Sequence, residues 1–204
     1  MKILLWYRAI WPNFQRRKAM NEVVYAEGPP ELHSSGVTAE SFSALADIAL
    51  ADLGNQGPSG MVCGPISTGG TGHQVLNLEI FNATIKGLKD EGKKIFTQIP
   101  YEFGLRRLTC EWQSKGHSGY PTPILNEFYA RLFASGLIIE GCFIPGWNLP
   151  PGPSIGATWE RLKLTTHRAI ITDLSREDIE RFLLKEHTPE HVAKIMSLLP
   201  RRTW

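Results

Sequence analysis

With 204 residues, 42% of them hydrophobic and 21% charged, the chain has the makeup of a globular protein long enough to bury a real core. Its formal net charge of +2 argues against a nucleic-acid coat protein or a polybasic membrane binder. No run approaches the ~20 apolar residues of a membrane helix, and Ile3-Leu4-Leu5-Trp6, broken by Arg8, is too short for a secretion signal. The three cysteines, Cys63, Cys110 and Cys142, have no metal-type spacing. Cys63 and Cys142 fall in predicted strands and read as reduced core residues, which favours a reducing cytoplasm. Neither a metal nor a cofactor is expected.

Residues 1–36 mix Trp6, Tyr7, Trp11 and Phe14 with Arg8, Arg16, Arg17 and Lys18, and Lys2 to Tyr7 can form a strand. Aromatics beside bases can stack on nucleic acid. In a short stretch of a weakly charged chain they read better as cover for a core edge or a subunit contact, so a homodimer or larger is expected. Thr38 predicts an N-cap for a helix from Ala39 to Leu53, with Phe42, Leu45, Ala46, Ala49 and Leu53 inward and Gly57-Pro58 past its end. A strand from Gly60 to Gly64 and a loop over Ser67 to Gly72 follow. A helix from Gln74 to Glu91 carries Leu78, Phe81, Ile85 and Leu88 at helical spacing, and a strand from Lys94 to Ile99 stops at Pro100. Residues 100–121 read as a long irregular connection holding Tyr101, Glu102, Arg106, Arg107, Glu111, Trp112, His117 and Tyr120, either a functional loop or a solvated insertion. Thr122-Pro123 opens a helix to Ala134, with Ile124, Leu125, Phe128 and Leu132 inward. Strands over Gly136 to Ile144 and Ala169 to Thr172, then helices from Ser175 and Thr188-Pro189, complete the chain. The alternation predicts a single α/β domain with about five parallel strands and helices on both faces, flavodoxin-like or Rossmann-like. Residues 1–58 would be an N-terminal extension and residues 175–204 would be C-terminal helices.

Two loops carry the chemistry. Between the strand ending at Ile144 and a following helix lies Pro150-Pro151-Gly152-Pro153-Ser154-Ile155-Gly156-Ala157-Thr158-Trp159-Glu160. A strand, a Gly-rich turn and a helix start make an anion site at the mouth of a parallel sheet. Glu160 is expected near the first turn of that helix, where the dipole favours its ionised form. There it can serve as a nucleophile or a cation stabiliser, or merely decorate a helix start. Met61-Val62-Cys63-Gly64-Pro65-Ile66-Ser67-Thr68-Gly69-Gly70-Thr71-Gly72 has the same strand-to-loop form, so the two loops can face each other across one sheet edge.

These residues resemble the nucleoside 2-deoxyribosyltransferase superfamily, which includes 2'-deoxynucleoside 5'-phosphate N-hydrolases. Cys63-Gly64-Pro65-Ile66-Ser67-Thr68-Gly69-Gly70, Phe81, Gly92 and Ser154-Ile155-Gly156-Ala157-Thr158-Trp159-Glu160 carry the resemblance, which covers about residues 60–173. It implies that Glu160 attacks the anomeric carbon of the sugar. It also implies that Gly64, Ser67, Thr68, Gly69, Gly70, Ser154 and Gly156 hold the 5' end of a nucleoside or nucleotide. The resemblance further implies a second acid seven positions ahead of an Ala-Asp pair, and counting back from Ala134-Ser135 puts Glu127 there; an i,i+4 ion pair with Arg131 is its structural alternative. The chain departs from the family's pattern: Glu127 is longer than its usual Asp, Ser135 replaces the Asp of its Ala-Asp pair, and Met61 or Val62 stands where the first strand often carries an aromatic hydroxyl. Trp147 and Trp112 are candidates for stacking on the base, and Trp159 for core packing. Water as acceptor gives a hydrolase and a second base gives a transferase. The alternatives are a non-catalytic nucleotide-binding sensor and a phosphoribohydrolase of the lysine-decarboxylase-like group, loosely echoed by Gly156 to Glu160. A flavodoxin-like flavin binder would need a loop that is not evident.

Overall fold

The computed structural model describes residues 38–66, 69–149 and 153–201. The chain divides into two units, Met1–Pro30 and Glu31–Trp204, and all described residues belong to the second. The expected strand over residues 2–7 and the aromatic-basic stretch after it lie outside them, as do Ser67 and Thr68.

The elements in chain order are α1 (Phe42–Gln56), β1 (Ser59–Cys63), α2 (Gln74–Asp90), β2 (Ile95–Phe96), a 3-10 turn (Ile99–Tyr101) leading into α3 (Glu102–Ser114), a π-helical turn (Ile124–Tyr129) leading into α4 (Ala130–Ala134), β3 (Ile138–Phe143), α5 (Ile155–Thr166), β4 (Ile170–Asp173), α6 (Arg176–Leu183) and α7 (Pro189–Leu198). Helix α1 starts later than Thr38 would set it, because Ser41 is the cap: its Oγ accepts from the Ala44 N–H at 3.0 Å. Ser154, Ser175 and Thr188 cap α5, α6 and α7 in the same way.

One expectation fails here for a physical reason, and another holds with a change of helical pitch. The connection after Pro100 is mostly helix α3, since Tyr101, Leu105 and Leu108 repeat at helical spacing and are all buried. The helix after Pro123 opens with a wide turn, marked by the Ala130 N–H bonding to the Leu125 carbonyl five residues back. That turn sends Leu125, Phe128 and Tyr129 inward and leaves Glu127 outside.

The four strands among the described residues, one fewer than expected, are all parallel in the order β2-β1-β3-β4. Both faces of β1 are covered, so all five of its residues are buried; β4, at the edge, is only partly covered. Period-two alternation divides the core. Met61, Cys63, Phe96 and Phe143 join α1, α3, α4 and α5 on one face; Val62, Ile95, Cys142 and Ile144 join α2, α6 and α7 on the other. This is the α/β layering expected from the sequence. No helix of the described residues is long and apolar enough to cross a membrane.

Candidate active site

From β1 the chain passes to β2 on one side and then returns to β3 on the other. The order therefore reverses between β1 and β3, and the crevice of such a sheet opens at the carboxyl ends of these two strands. The Ile144 N–H donates to the Cys63 carbonyl at 2.9 Å and holds the two ends together. Gly64 keeps them close, since a Cβ there would stand 3.0 Å from Ile144.

Helix α5 descends from this edge. Its buried residues, Ala157, Glu160 and Leu164, follow a three-then-four spacing, so Glu160 occupies the centre of an apolar stripe. It is 7% exposed, and its Oε2 is buried with no hydrogen-bond partner among the described residues. Glu160 is the sixth residue of the helix, in its second turn rather than its first, where the dipole has little reach. Burial prevails and pushes its carboxyl up to about 8. The Cys63 thiol, whose aligned acceptor is the Met61 carbonyl at 3.9 Å, also faces the carboxylate and offsets part of this rise; the charge of Glu102 adds to it. The expectation of a carboxylate held ionised by the helix start is thereby corrected.

The groups around Glu160 come from three other segments. Glu102 opens α3; burial raises its carboxyl, and Arg106, with Nε 3.8 Å away, pulls it back. Burial pushes the Tyr120 phenol up to about 12, and the charges of Glu160 and Glu102 add to the effect. Tyr129, buried on the π-helical turn, is raised by the same causes. Gly156 lets Tyr120 approach, because a Cβ there would lie 3.1 Å from the phenol oxygen. Two carboxyls and two phenols thus converge beside the end of β1, a composition suited to general acid–base chemistry.

Glu127 is not among them. It is exposed beside α1, with Ser43 Oγ donating to its Oε2 at 3.5 Å, and Glu102 stands near Glu160 instead. The ion pair of Glu127 with Arg131 does not form either; Arg131 bonds Asp47 at 2.5 Å and the Ser43 carbonyl at 2.7 Å. Trp112 stacks on His117 with centroids 4.8 Å apart. It lies ten residues along α3 from Glu102, ~15 Å along the axis, which removes it from the cluster. Trp147 is half-buried against Phe143, with Arg161 lying 5.3 Å above its ring. Arg161 is itself fixed by both oxygens of Asp173 at 2.5 and 2.9 Å. Trp159 packs on Phe133, as expected. Ser154 is buried, and its oxygen accepts from the Ala157 N–H at 3.3 Å, which leaves its proton and one lone pair for a ligand.

The loop after β1 is shaped by Gly69, Gly70 and Gly72, all at positive φ. Asn77 on α2 ties it down. Its Nδ2 donates to the carbonyls of Ile66 and Gly69 at 3.2 Å each, and its Oδ1 accepts from the Thr71 N–H at 2.9 Å and the Thr71 hydroxyl at 2.8 Å. A Cβ on Gly70 would meet Asn77 Oδ1 at 2.6 Å. Asn77→Ala strands buried donors and acceptors at once and is expected to destabilise the protein by about 2 kcal/mol, read as a lower urea midpoint at unchanged slope. An unchanged midpoint would mean that water replaces the amide.

Glu102, Tyr120 and Tyr129 escaped the sequence reading of the site. The spacing of Tyr101, Leu105 and Leu108 was a usable signal for the helix that presents Glu102. Comparison with protein-family models, curated proteins and solved structures finds no match for this chain.

Proposed function

We propose that the chain cleaves or transfers at the N-glycosidic bond of a nucleoside or nucleoside 5'-monophosphate, with Glu160 as the carboxylate that meets the anomeric carbon. The observation that carries this reading is the free, buried Oε2 of Glu160 in the middle of an apolar stripe at the switch point of the sheet. As the bond from C1' to the base nitrogen breaks, its electron pair leaves with the base and positive charge grows on the sugar. The Glu160 carboxylate stabilises that charge or forms a covalent bond to C1', which water or a second base then displaces. The Tyr120 phenol, which burial keeps protonated up to about pH 12, takes the role of proton donor to the departing base, with Glu102 beside it. The amides of the loop tied by Asn77, at the start of α2, supply donors for the 5' end.

Attack requires the ionised form of Glu160. Its carboxyl is raised to about 8, so kcat/KM is expected to climb with pH, about tenfold per unit, until it levels near pH 8. A profile flat from pH 5 to 8 would remove Glu160 from this role. The direct test is incubation with a panel of nucleosides and nucleoside monophosphates, measuring free base. Tight binding without base release across the panel would support the sensor reading instead, which the uncharged state of Glu160 at neutral pH favours.

A further inference from the structure

We propose that Glu79, His187 and His191 form a binding site for a divalent transition-metal ion, with zinc the best match to their donors. The site lies on the α2, α6 and α7 face of the sheet, across from Glu160, and does not depend on the glycosidic reading.

Local structure brings the three together. Helix α6 ends at Leu183, and a short turn carries His187 to Thr188, the cap of α7. The Thr188 hydroxyl accepts from the His191 N–H at 3.4 Å and fixes the first turn of α7. The two imidazoles, four residues apart, have ring centroids 5.1 Å from each other. Across from them, α2 presents Glu79. One ligand atom of each residue lies within 4.8 Å of the other two.

The state of Glu79 points to a cation rather than to a simple pair. Its side chain is only 10% exposed. Its Oε2 is 2.7 Å from His191 Nε2, while its Oε1 is buried with no partner among the described residues. A single imidazole leaves that second oxygen orphaned in a poorly solvated place, which is costly. An ion bound by Oε1 and by both imidazoles resolves it. Two histidine nitrogens and one carboxylate oxygen are a donor set that zinc takes, leaving a fourth position for water. Bonds of ~2.0–2.2 Å about a tetrahedral centre place ligand atoms ~3.3 Å apart. The widest separation must therefore close by up to ~1.5 Å while the 2.7 Å pair of Glu79 Oε2 and His191 Nε2 opens slightly, and His191, 37% exposed, is free on one side to move. A bound ion would fasten the α6–α7 turn to α2.

The test uses the full chain, stripped with a chelator and titrated with Zn²⁺, and with Co²⁺ as a spectroscopic probe. All proteins carry Cys110→Ser, which removes the exposed thiol as a rival ligand. One equivalent of Zn²⁺ is expected to bind and raise the melting temperature, and Co²⁺ should give visible ligand-field absorption. His187→Ala, at a half-exposed position, and Glu79→Gln should each weaken Zn²⁺ binding by at least ~100-fold while the metal-free proteins remain folded. Absence of stoichiometric binding, or binding undiminished in both variants, would overturn the assignment.

Discussion

Glu160→Gln is expected to make the protein more stable above pH 8 while removing base release. Below about pH 4.5 the carboxyl is protonated in folded and unfolded chains alike, and its burial is that of a neutral group. Between 4.5 and about 8 the unfolded chain gives up this proton and the folded one keeps it. The unfolded state then binds fewer protons, so stability falls as pH rises through this window, by up to about 5 kcal/mol in total. Glutamine has nearly the same shape and never ionises, so it escapes that loss. The two proteins should show similar urea midpoints near pH 5. At pH 9 the variant should be ahead by several kcal/mol, with turnover lower by at least ~100-fold. Equal turnover would dismiss Glu160 as the reacting group, and equal stability at pH 9 would mean that its carboxylate is hydrated. The combination of a stabilising change with lost activity marks a group kept for chemistry at the expense of the fold.

The second large effect concerns the seam between α2 and α6. Gly87 on α2 lies under the ring of Phe182, and a Cβ at Gly87 would fall 2.1 Å from Phe182 Cδ1. Phe182 is 1% exposed. Phe182→Ala should cost about 3–5 kcal/mol, since it removes a buried ring from a contact that cannot close by backbone approach alone. Gly87→Ala should cost about 1–3 kcal/mol from the forced overlap, less the gain in helix propensity. The cycle between them is the sharper measurement. In the Phe182→Ala background the added methyl has room, so Gly87→Ala should become neutral or stabilising there. Simple additivity of the two urea-midpoint changes would show that the helices already stand apart.

Much of this arrangement was legible in the chain. The strands at Met61, at Cys142 and at Ile171, and the helices packed by Phe81, Ile179 and Ile195, followed from periodicity and capping residues, because burial on both faces leaves long apolar runs. Glu160 was read from the chain as a carboxylate on the helix after the Gly-Pro loop, one turn nearer the helix start than it lies. Its protonation was not, because dipole and desolvation oppose each other and only packing decides between them. Glu127 was placed by the resemblance's spacing from Ala134-Ser135, which takes no account of the wide turn that leaves its side chain exposed. Glu102 was hidden in a stretch whose Pro100, Gly104 and charges mask a narrow buried face. Glu79 lies more than a hundred residues from His191, so no spacing rule could join them.

The order of the strands also sets how the molecule must assemble itself. Parallel neighbours cannot be joined by tight turns, so every pairing in this sheet waits on a crossover. The central pair is the most remote, with Ser59 meeting Ile138 only after α2, β2, α3 and α4 have been laid down between them. Until then β1 has only the two residues of β2 for support. Contacts this distant in sequence place folding on the slow side for a domain of this size, and they leave the apolar strand Ser59–Cys63 without its partner late in the search, when chains at high concentration find one another most readily.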